Sequence, residues 1–293
     1  MKRIIELSRY GMSLMIRDGC LQIMENGDFR EGIPLREISA VIIVNPAVSL
    51  TGYVLAELAE QHIPLICCSE RFVPVAFACC NGSEALQTAL LTASRPLKKQ
   101  LWQALIRSKI FAQAVLLKQV KNSDRLFPLI KRVQSGDPKN VEAHAAAEYW
   151  RELDLMAKRD RKAADENLLL NYGYTVLFGA VARECALAGF YHNTGLKHHH
   201  RDNPYRLASD LMEPFRSCVD RIIVQMRDRK PKDGKLSAEQ KKTIIKGLYR
   251  TKIRMDGKTL SLFYAIRKCV FSFRQAILNK DCNLFILPDW SGV

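Results

Sequence analysis

The spacing of apolar residues changes once along this chain, at the breaker cluster Asn81-Gly82-Ser83. Before this cluster there are short strand-like runs, Arg3 to Leu7, Ser13 to Arg17 and Leu21 to Met24, and Asp18-Gly19 and Asn26-Gly27 supply typical hairpin turns. After it, apolar residues recur with the period of a helix almost to the C-terminus. The change of period indicates that the chain is neither all-β nor all-helical, and we expect a strand-rich part followed by a helical part.

The two parts predict an α+β fold. A β-rich domain at 1–80 contains one helix and the continuous apolar run Ala40 to Val44, which is typical of a strand with both faces covered. A linker is expected at 81–94 and a larger all-helical domain at 95–293. Ser94-Arg95-Pro96 is a helix start, and further helices are predicted at about 140–157, 165–188, 207–226, 237–250 and 258–279.

The charge of the chain favours an anionic partner. Forty-five Lys and Arg residues against 30 Asp and Glu give a net charge of +15 over 293 residues. A hydrophobic core does not need such an excess, whereas nucleic acid uses it. An anionic membrane is the weaker alternative, because no stretch approaches 18 consecutive apolar residues. The chain begins with Met1-Lys2-Arg3 and continues directly into a strand-like run, without the pattern of a signal peptide, and so a cytoplasmic location is predicted.

The basic residues are concentrated near the C-terminal end. Twelve basic residues lie between Arg227 and Lys258, against four acidic ones. Clustered cations are what phosphate neutralisation requires, although a solvated loop and helix face would have the same composition. The DNA-binding candidates in this stretch are Arg227, Arg229, Lys230, Lys241, Lys242, Lys246 and Arg250.

Three segments of the predicted helical domain contain candidate catalytic or metal-binding residues. Glu142 is followed three and four positions later by Ala145 and Ala146, so that its helix face is small and a substrate can approach the carboxylate. Asp210 and Glu213 are three residues apart and share a helix face, and Pro214 is expected to bend that helix. The third segment, Gly195 to His200, holds three consecutive histidines on a predicted loop.

Two or three carboxylates with an imidazole, in a basic protein, are the ingredients of a divalent-metal phosphodiester site. Oxygen ligands suit Mg²⁺ or Mn²⁺, and one histidine shifts the preference toward Mn²⁺. Zinc is the chemical alternative, which His199 and His200 keep open.

Four blocks of the sequence resemble, in order and spacing, CRISPR-associated protein one, the integrase family of spacer acquisition, and most of all its type II branch, possibly II-C. The resemblance covers the whole chain. The blocks are Glu-x-x-Ala-Ala-x-x-Tyr-Trp at 142–150, Asn-Leu-Leu-Leu-Asn-Tyr-Gly-Tyr at 167–174, Gly-Leu-Lys-His at 195–198 and Ala-Ser-Asp-Leu-Met-Glu-Pro-Phe-Arg at 208–216.

The resemblance implies an N-terminal β domain that forms a homodimer and a C-terminal helical domain that holds the metal. By position, the metal ligands and catalytic residues fall on Glu142, His198 and Glu213, with Asp210 as a possible extra ligand. The sequence leaves open which of His198, His199 and His200 is the ligand. Ala143 departs from the family, which usually has glycine after the first ligand.

The resemblance also implies an activity and partners. The expected enzyme is a Mg²⁺- or Mn²⁺-dependent DNA integrase and endonuclease, which inserts short double-stranded DNA fragments into CRISPR repeat DNA by attack of a 3′-hydroxyl on a phosphodiester. The expected bridging subunit is CRISPR-associated protein two, in the cytoplasm of a prokaryote. Two alternatives remain at this point: a DNA-binding scaffold with degenerate carboxylates, and a stand-alone structure-specific repair nuclease.

Overall fold

The computed structural model of the chain describes residues 3–78, 82–155, 165–191, 193–197, 205–227, 231 and 234–291. Its N-terminal part is built from two four-stranded sheets and one helix. In chain order these elements are β1 (Arg3–Leu7), β2 (Met12–Arg17), β3 (Cys20–Glu25), β4 (Asp28–Pro34), β5 (Ile38–Ile43), β6 (Ser49–Leu50), α1 (Gly52–Glu60), β7 (Leu65–Cys68) and β8 (Pro74–Ala78).

Hairpin turns and buried strands account for the two sheets. The first sheet has the order β1-β5-β7-β8 and is parallel except for β8, and the second has the order β4-β3-β2-β6. Asp18-Gly19 and Asn26-Gly27 both have positive φ, as the predicted tight turns between β2, β3 and β4 require. The strand β5 is buried along its whole length, as its continuous apolar run predicted.

The two faces of the first sheet belong to different cores. Val41 and Ile43 of β5 pack in the core of the N-terminal part, whereas Ile42 between them packs in the core of the helices. Successive side chains of a strand point to opposite faces, so that one strand serves both cores. The β-rich part and the helical part therefore share the first sheet as a common wall.

The rest of the described chain is mainly helical. The elements are α2 (Glu84–Thr92), α3 (Arg95–Lys121), α4 (Phe127–Arg132), α5 (Val141–Leu153), α6 (Glu166–Leu187), α7 (Arg206–Met212), α8 (Arg216–Gln225), α9 (Ala238–Arg250), β9 (Lys252–Met255), β10 (Lys258–Ser261) and α10 (Leu262–Asn279). A 3₁₀ turn at Glu213–Phe215 joins α7 to α8. The molecule thus has the mixed α and β character that the change of period predicted.

The helix α6 is the centre of the helical part. It is buried on all sides, which agrees with its apolar residues being distributed all round the helix. It lies against the first sheet at Gly179, where a Cβ atom would come within 2.9 Å of Ile66 Cδ1. Glycine at this position lets the helix approach the sheet closely.

Two sequence predictions need correction in detail. Most of the segment expected as a linker forms α2, because Ser83 caps the helix and Leu86 and Leu90 are buried in the helical core. Residues 258–261, expected to begin the last helix, instead pair with β9 around a turn at Asp256-Gly257 with positive φ at both residues. The C-terminal part is therefore not all-helical. None of the helices in the described ranges has the length and apolar character needed to cross a bilayer.

Candidate active site

Glu142 stands in the first turn of α5 and is fixed there by a buried aspartate. The N–H groups of Val141 and Glu142 donate to the two carboxylate oxygens of Asp137, at 2.9 and 3.0 Å. These N–H groups have no partner within the helix, and a carboxylate at this end is also favoured by the helix dipole. The backbone of Glu142 is thus held rigidly, while about a quarter of its side chain stays exposed.

Glu213 lies in the 3₁₀ turn between α7 and α8. Pro214 has no backbone N–H to donate, so that the helix is interrupted here, as the sequence predicted. Glu213 is only 5% exposed. One of its oxygens lies 3.0 Å from Nε of Arg216, at the start of α8. This contact partly neutralises a carboxylate that would otherwise be costly to bury.

The two glutamates converge on the ammonium group of Lys109, which comes from the middle of α3. The Nζ atom of Lys109 is 2.7 Å from Oε1 of Glu142 and 2.7 Å from Oε2 of Glu213. Burial alone would lower the pKa of Lys109, but the charges of Glu213 and Glu142 outweigh it, and the pKa lies above its ordinary value. Three distant segments of sequence therefore meet at one charged centre.

A buried polar network supports this centre. The carboxylate of Asp220 in α8 accepts hydrogen bonds from the hydroxyl of Tyr149, at 2.7 Å, and from the hydroxyl of Tyr174. The guanidinium of Arg216 lies 4.9 Å from the ring centre of Tyr174. Burial raises the pKa of Tyr149 well above its ordinary value, so that this hydroxyl remains a donor. The network connects α5, α6 and α8 and holds Arg216 beside Glu213.

Asp210 contacts the loop that leads to His198. Its Oδ2 atom accepts hydrogen bonds from the N–H groups of Leu196, at 2.6 Å, and Lys197, at 3.4 Å. Gly195 allows this approach, because a Cβ atom there would lie 2.7 Å from Oδ2 of Asp210. Asp210 is completely buried. One of its oxygens therefore fixes the loop, and His198, His199 and His200 themselves lie outside the described residues.

The donor set fits a hard divalent cation. Glu142 and Glu213 point at a single cationic nitrogen, which shows that their oxygens can face one positive charge together. In the described part of the chain no three His, Cys, Asp or Glu side chains are grouped closely enough to hold a metal. A complete ligand set thus needs a further ligand, and the predicted one, His198, falls outside those ranges.

The predicted DNA-binding residues are placed in different ways. Lys241 makes an ion pair with Glu6 of β1 and lies 4.9 Å from the ring centre of Phe72. Arg227 donates to the carbonyl oxygens of Leu153 and Asp154, both at 3.0 Å, at the end of α5. The side chains that share one exposed stripe of α9 are Lys242, Lys246 and Arg250. Arg229 and Lys230 lie outside the described residues.

Several residues of the site were not singled out from the sequence. Lys109 is one of many cations on a long helix, and only the tertiary structure brings it between Glu142 and Glu213. Asp137 had a signal that could have been used, since Asp and Asn residues shortly before a helix often cap it. Asp220 had no comparable signal, because its two tyrosine partners are 71 and 46 residues away.

The chain matches known proteins over nearly all of its length. The family model described as CRISPR associated protein Cas1 matches residues 5–252. A CRISPR-associated endonuclease Cas1 of Neisseria meningitidis serogroup C (strain 8013) is 34% identical over 97% of this chain and 95% of its own length. A CRISPR-associated endonuclease Cas1 of Francisella tularensis subsp. novicida (strain U112) is 25% identical over 92% and 94%.

Solved structures share the fold. A casposase bound to integration product has a TM-score of 0.79 and 18% identity, covering 96% of this chain and 92% of its own. A Cas1 protein from Thermotoga maritima has a TM-score of 0.76 and 15% identity, covering 95% and 97%. A Cas6-RT-Cas1–Cas2 complex has a TM-score of 0.80 and 20% identity, and covers 97% of this chain but 36% of the longer one. At these identities the likeness establishes the architecture alone.

Proposed function

This chain belongs to the Cas1 family of CRISPR-associated proteins, and on that premise we propose that it is a metal-dependent DNA integrase and endonuclease of spacer acquisition. The observation that carries the proposal is the convergence of Glu142 and Glu213 on one buried cationic nitrogen. Two carboxylates held toward a shared positive charge, in a protein of net charge +15, suit a phosphodiester substrate. The relatives named as endonucleases support the same activity.

Glu142, Glu213 and His198 would hold a Mg²⁺ or Mn²⁺ ion. Such an ion, when bound, polarises the target phosphate and favours ionisation of the attacking hydroxyl. Asp137 holds the first turn of α5, and so sets the position of Glu142. Asp210 fixes the loop that leads to His198. Rigid support of this kind keeps the carboxylates in one geometry while the substrate is bound.

The proposed reaction is a transesterification. The 3′-hydroxyl oxygen of a short DNA fragment attacks a phosphorus atom of the repeat strand, and the new P–O bond replaces the bond to the former 3′ oxygen, which leaves and takes up a proton. One phosphodiester bond replaces another, so that the reaction needs no energy from nucleotide hydrolysis. With water as the nucleophile, the same site would nick DNA.

The partners follow from the family and from the charge. We propose double-stranded DNA fragments and CRISPR repeat DNA as substrates, a homodimer formed through the β-rich part, and Cas2 as the bridging subunit. The Cas6-RT-Cas1–Cas2 complex and the casposase bound to integration product support these assignments by fold. The identity of 34% to the Neisseria protein, against 25% to the Francisella protein, supports the type II assignment. Since the relatives are bacterial and archaeal, we place the protein in the prokaryotic cytoplasm with the array.

A joining assay tests the proposal. The protein is incubated with a labelled DNA fragment and a plasmid carrying a repeat, with Mn²⁺ or Mg²⁺ or with a chelator. We expect the label to be transferred to the plasmid only with the metal. Binding without joining or nicking would favour the scaffold alternative, and nicking without joining would favour the repair nuclease.

A further inference from the structure

A cavity of about 700 Å³ lies between α8, α9 and the start of β9, and none of the described residues of the candidate active site lines it. On α8 it is lined by residues four apart, Ser217, Arg221 and Gln225, and on α9 by residues on one face, Thr243, Lys246 and Arg250. Each helix thus contributes a row of polar side chains to the cavity, and Cys218 and Ile222 of α8 and Met226 directly after it add apolar surface to the lining.

The charges that line this cavity are all positive. Arg221, Lys246, Arg250 and Lys252 line it, and none of the acidic residues that the structure describes does. Within the described part of the chain, none of these four side chains has an ion pair with a carboxylate. The contrast with Lys109 and Lys241, which are both paired, is clear.

Four unpaired cations around one space repel each other, and an anion placed among them removes that repulsion. Two of the four are arginines, whose planar guanidinium binds phosphate oxygens in pairs. The hydroxyl group of Ser217 adds an uncharged donor to the lining, whereas the hydroxyls of Thr243 and Thr251 already donate to backbone carbonyl oxygens of α9. The lining therefore has the chemistry of a phosphate site.

The size of the cavity and its floor point to more than an isolated ion. A volume of about 700 Å³ is in the range of organic ligands and is much larger than one phosphate needs. Trp290, which is 97% buried, contributes an apolar surface to the lining. Its Nε1 atom has no hydrogen-bond partner among the described residues. A sugar or base attached to the phosphate can lie against such a surface.

We propose that this cavity binds a phosphodiester group of the DNA substrate, at a point on the strand away from the reacting phosphate. The proposal deepens the DNA binding in the proposed function and rests on it. The cavity would fix the register of the DNA on the protein, because phosphate contacts position the strand without reading its sequence. A free nucleotide has the same phosphate chemistry and is the competing occupant.

Removal of the cavity arginines tests the proposal. The double variant Arg221→Gln/Arg250→Gln is compared with Arg36→Gln/Arg132→Gln, which loses the same charge from exposed positions that do not line the cavity. Affinity for a labelled DNA duplex is measured over a series of salt concentrations. The slope of log K against log salt is negative. We expect its magnitude to fall by roughly one to two in the cavity variant and by less than half as much in the control.

Folding and occupancy are checked separately. Melting temperatures establish that the variants fold, and Lys246→Gln/Lys252→Gln gives a second pair in case Arg221 is needed for stability. Equal slopes for the cavity and control variants would overturn the proposal. Binding of dAMP by the wild-type protein that the cavity variant loses, with DNA affinity unchanged, would also overturn it in favour of a free nucleotide. Since this assay needs no metal and no joining, failure of the integrase proposal would leave its result interpretable.

Discussion

Lys109 supplies the positive charge that the two glutamates of the site face. Without it, the carboxylates of Glu142 and Glu213 would lie close together in a largely buried place. Their negative charges would repel each other and destabilise the folded protein. The metal ion proposed for this site would compete with Lys109 for the same oxygens. The lysine would therefore have two opposing effects, because it keeps the two carboxylates together and would weaken the binding of the proposed cation.

Replacement of Lys109 by methionine separates these effects. We expect Lys109→Met to lower the free energy of unfolding by about 3–5 kcal/mol without metal, because one partner of a buried ion pair is removed. The rise in melting temperature on addition of Mn²⁺ should be larger for this variant than for the wild type. Lys118→Met is the control, since its ion pair with Asp124 is exposed and should be worth less than about 1 kcal/mol. Equal small losses in both variants, without an effect of Mn²⁺, would contradict this interpretation.

At the residue scale, the sequence reveals the acidic residues of the site but not the residues that hold them. Small or apolar neighbours draw attention to Glu142, Asp210 and Glu213, and the family resemblance gives Glu142 and Glu213 their predicted roles as ligands, with Asp210 as a possible extra. Apart from Asp137 and Arg216, which are near in sequence, their contacts come from positions 13 to 104 residues away, such as Leu196 for Asp210 and Lys109 for Glu213. Contacts between such distant residues depend on how the helices pack against each other. Helical periodicity shows which face of a helix is buried but not which other helix packs against it.

The loop at 193–197 and the helix α7 form one positioning unit. Gly195 lets the loop come close enough for Asp210 to accept hydrogen bonds from the N–H groups of Leu196 and Lys197, and the next residue in the chain is His198. This contact fixes the last described residues before the predicted metal ligand. Asp210 as an extra metal ligand stays a prediction, and one of its oxygens is already engaged by the loop.

The substitution Gly195→Ala tests this unit. The added Cβ atom would lie 2.7 Å from Oδ2 of Asp210 and 2.8 Å from Cβ of Arg206, so that the loop must move. We expect Mn²⁺ affinity, measured by calorimetry, and the rate of joining to fall at least tenfold, with a small change in melting temperature. Gly52→Ala is the matched control, because nothing lies within 4 Å of a Cβ atom there. Wild-type Mn²⁺ affinity in Gly195→Ala would rule out a positioning role for the loop.

The helix α9 has different tasks on its two sides. Lys241 is directed toward β1, where it pairs with Glu6 beside the ring of Phe72. Lys242 and Lys246 lie on the exposed stripe. The basic stretch was predicted from the sequence as one group, because adjacent lysines look alike until the burial of each is known.

These tasks can be separated by mutation. We expect Lys241→Gln to lower the free energy of unfolding by roughly 3 kcal/mol and to leave the salt dependence of DNA binding unchanged, since its side chain is mostly buried. The variant Lys242→Gln/Lys246→Gln should do the opposite, with a flatter salt dependence and an unchanged melting temperature. Chemical denaturation and binding isotherms on both variants measure the two effects. If Lys241→Gln also flattened the salt dependence, the DNA-binding prediction for Lys241 would be supported and the division of tasks refuted.

At the scale of the whole molecule, the change of apolar period at Asn81-Gly82-Ser83 correctly predicts strands before and mainly helices after it. It does not predict that the first sheet is shared by two cores, because a continuous apolar run such as β5 only shows that both faces are covered. The β9–β10 hairpin had a signal, Asp256-Gly257 between alternating residues, which the long helix that follows obscured. The helix α2 was missed because its segment is short and begins with turn residues.

The β-rich part exposes large apolar side chains that a homodimer would cover. Phe29 of β4 is 58% exposed and Met15 of β2 is 49% exposed. We expect the wild-type protein to be a dimer at micromolar concentration by light scattering, and Phe29→Asp to be a monomer with an unchanged melting temperature. A wild-type monomer, or a dimer in Phe29→Asp, would argue against dimerisation through this surface.

The central claim is that Glu142 and Glu213 form a catalytic metal site, and one pair of variants tests it most directly. Glu142→Gln and Glu148→Gln remove a carboxylate of similar exposure from the same helix, and only Glu142 contacts the charged centre. Joining, nicking, DNA affinity and melting temperature are measured with Mn²⁺ on each preparation. We expect Glu142→Gln to lose joining and nicking together, by at least a thousandfold (about 4 kcal/mol), while DNA affinity stays close to wild type and Glu148→Gln keeps its activity. The melting temperature of Glu142→Gln should fall less than that of Lys109→Met, because Lys109 keeps its ion pair with Glu213. Full joining by a folded Glu142→Gln variant would contradict the claim.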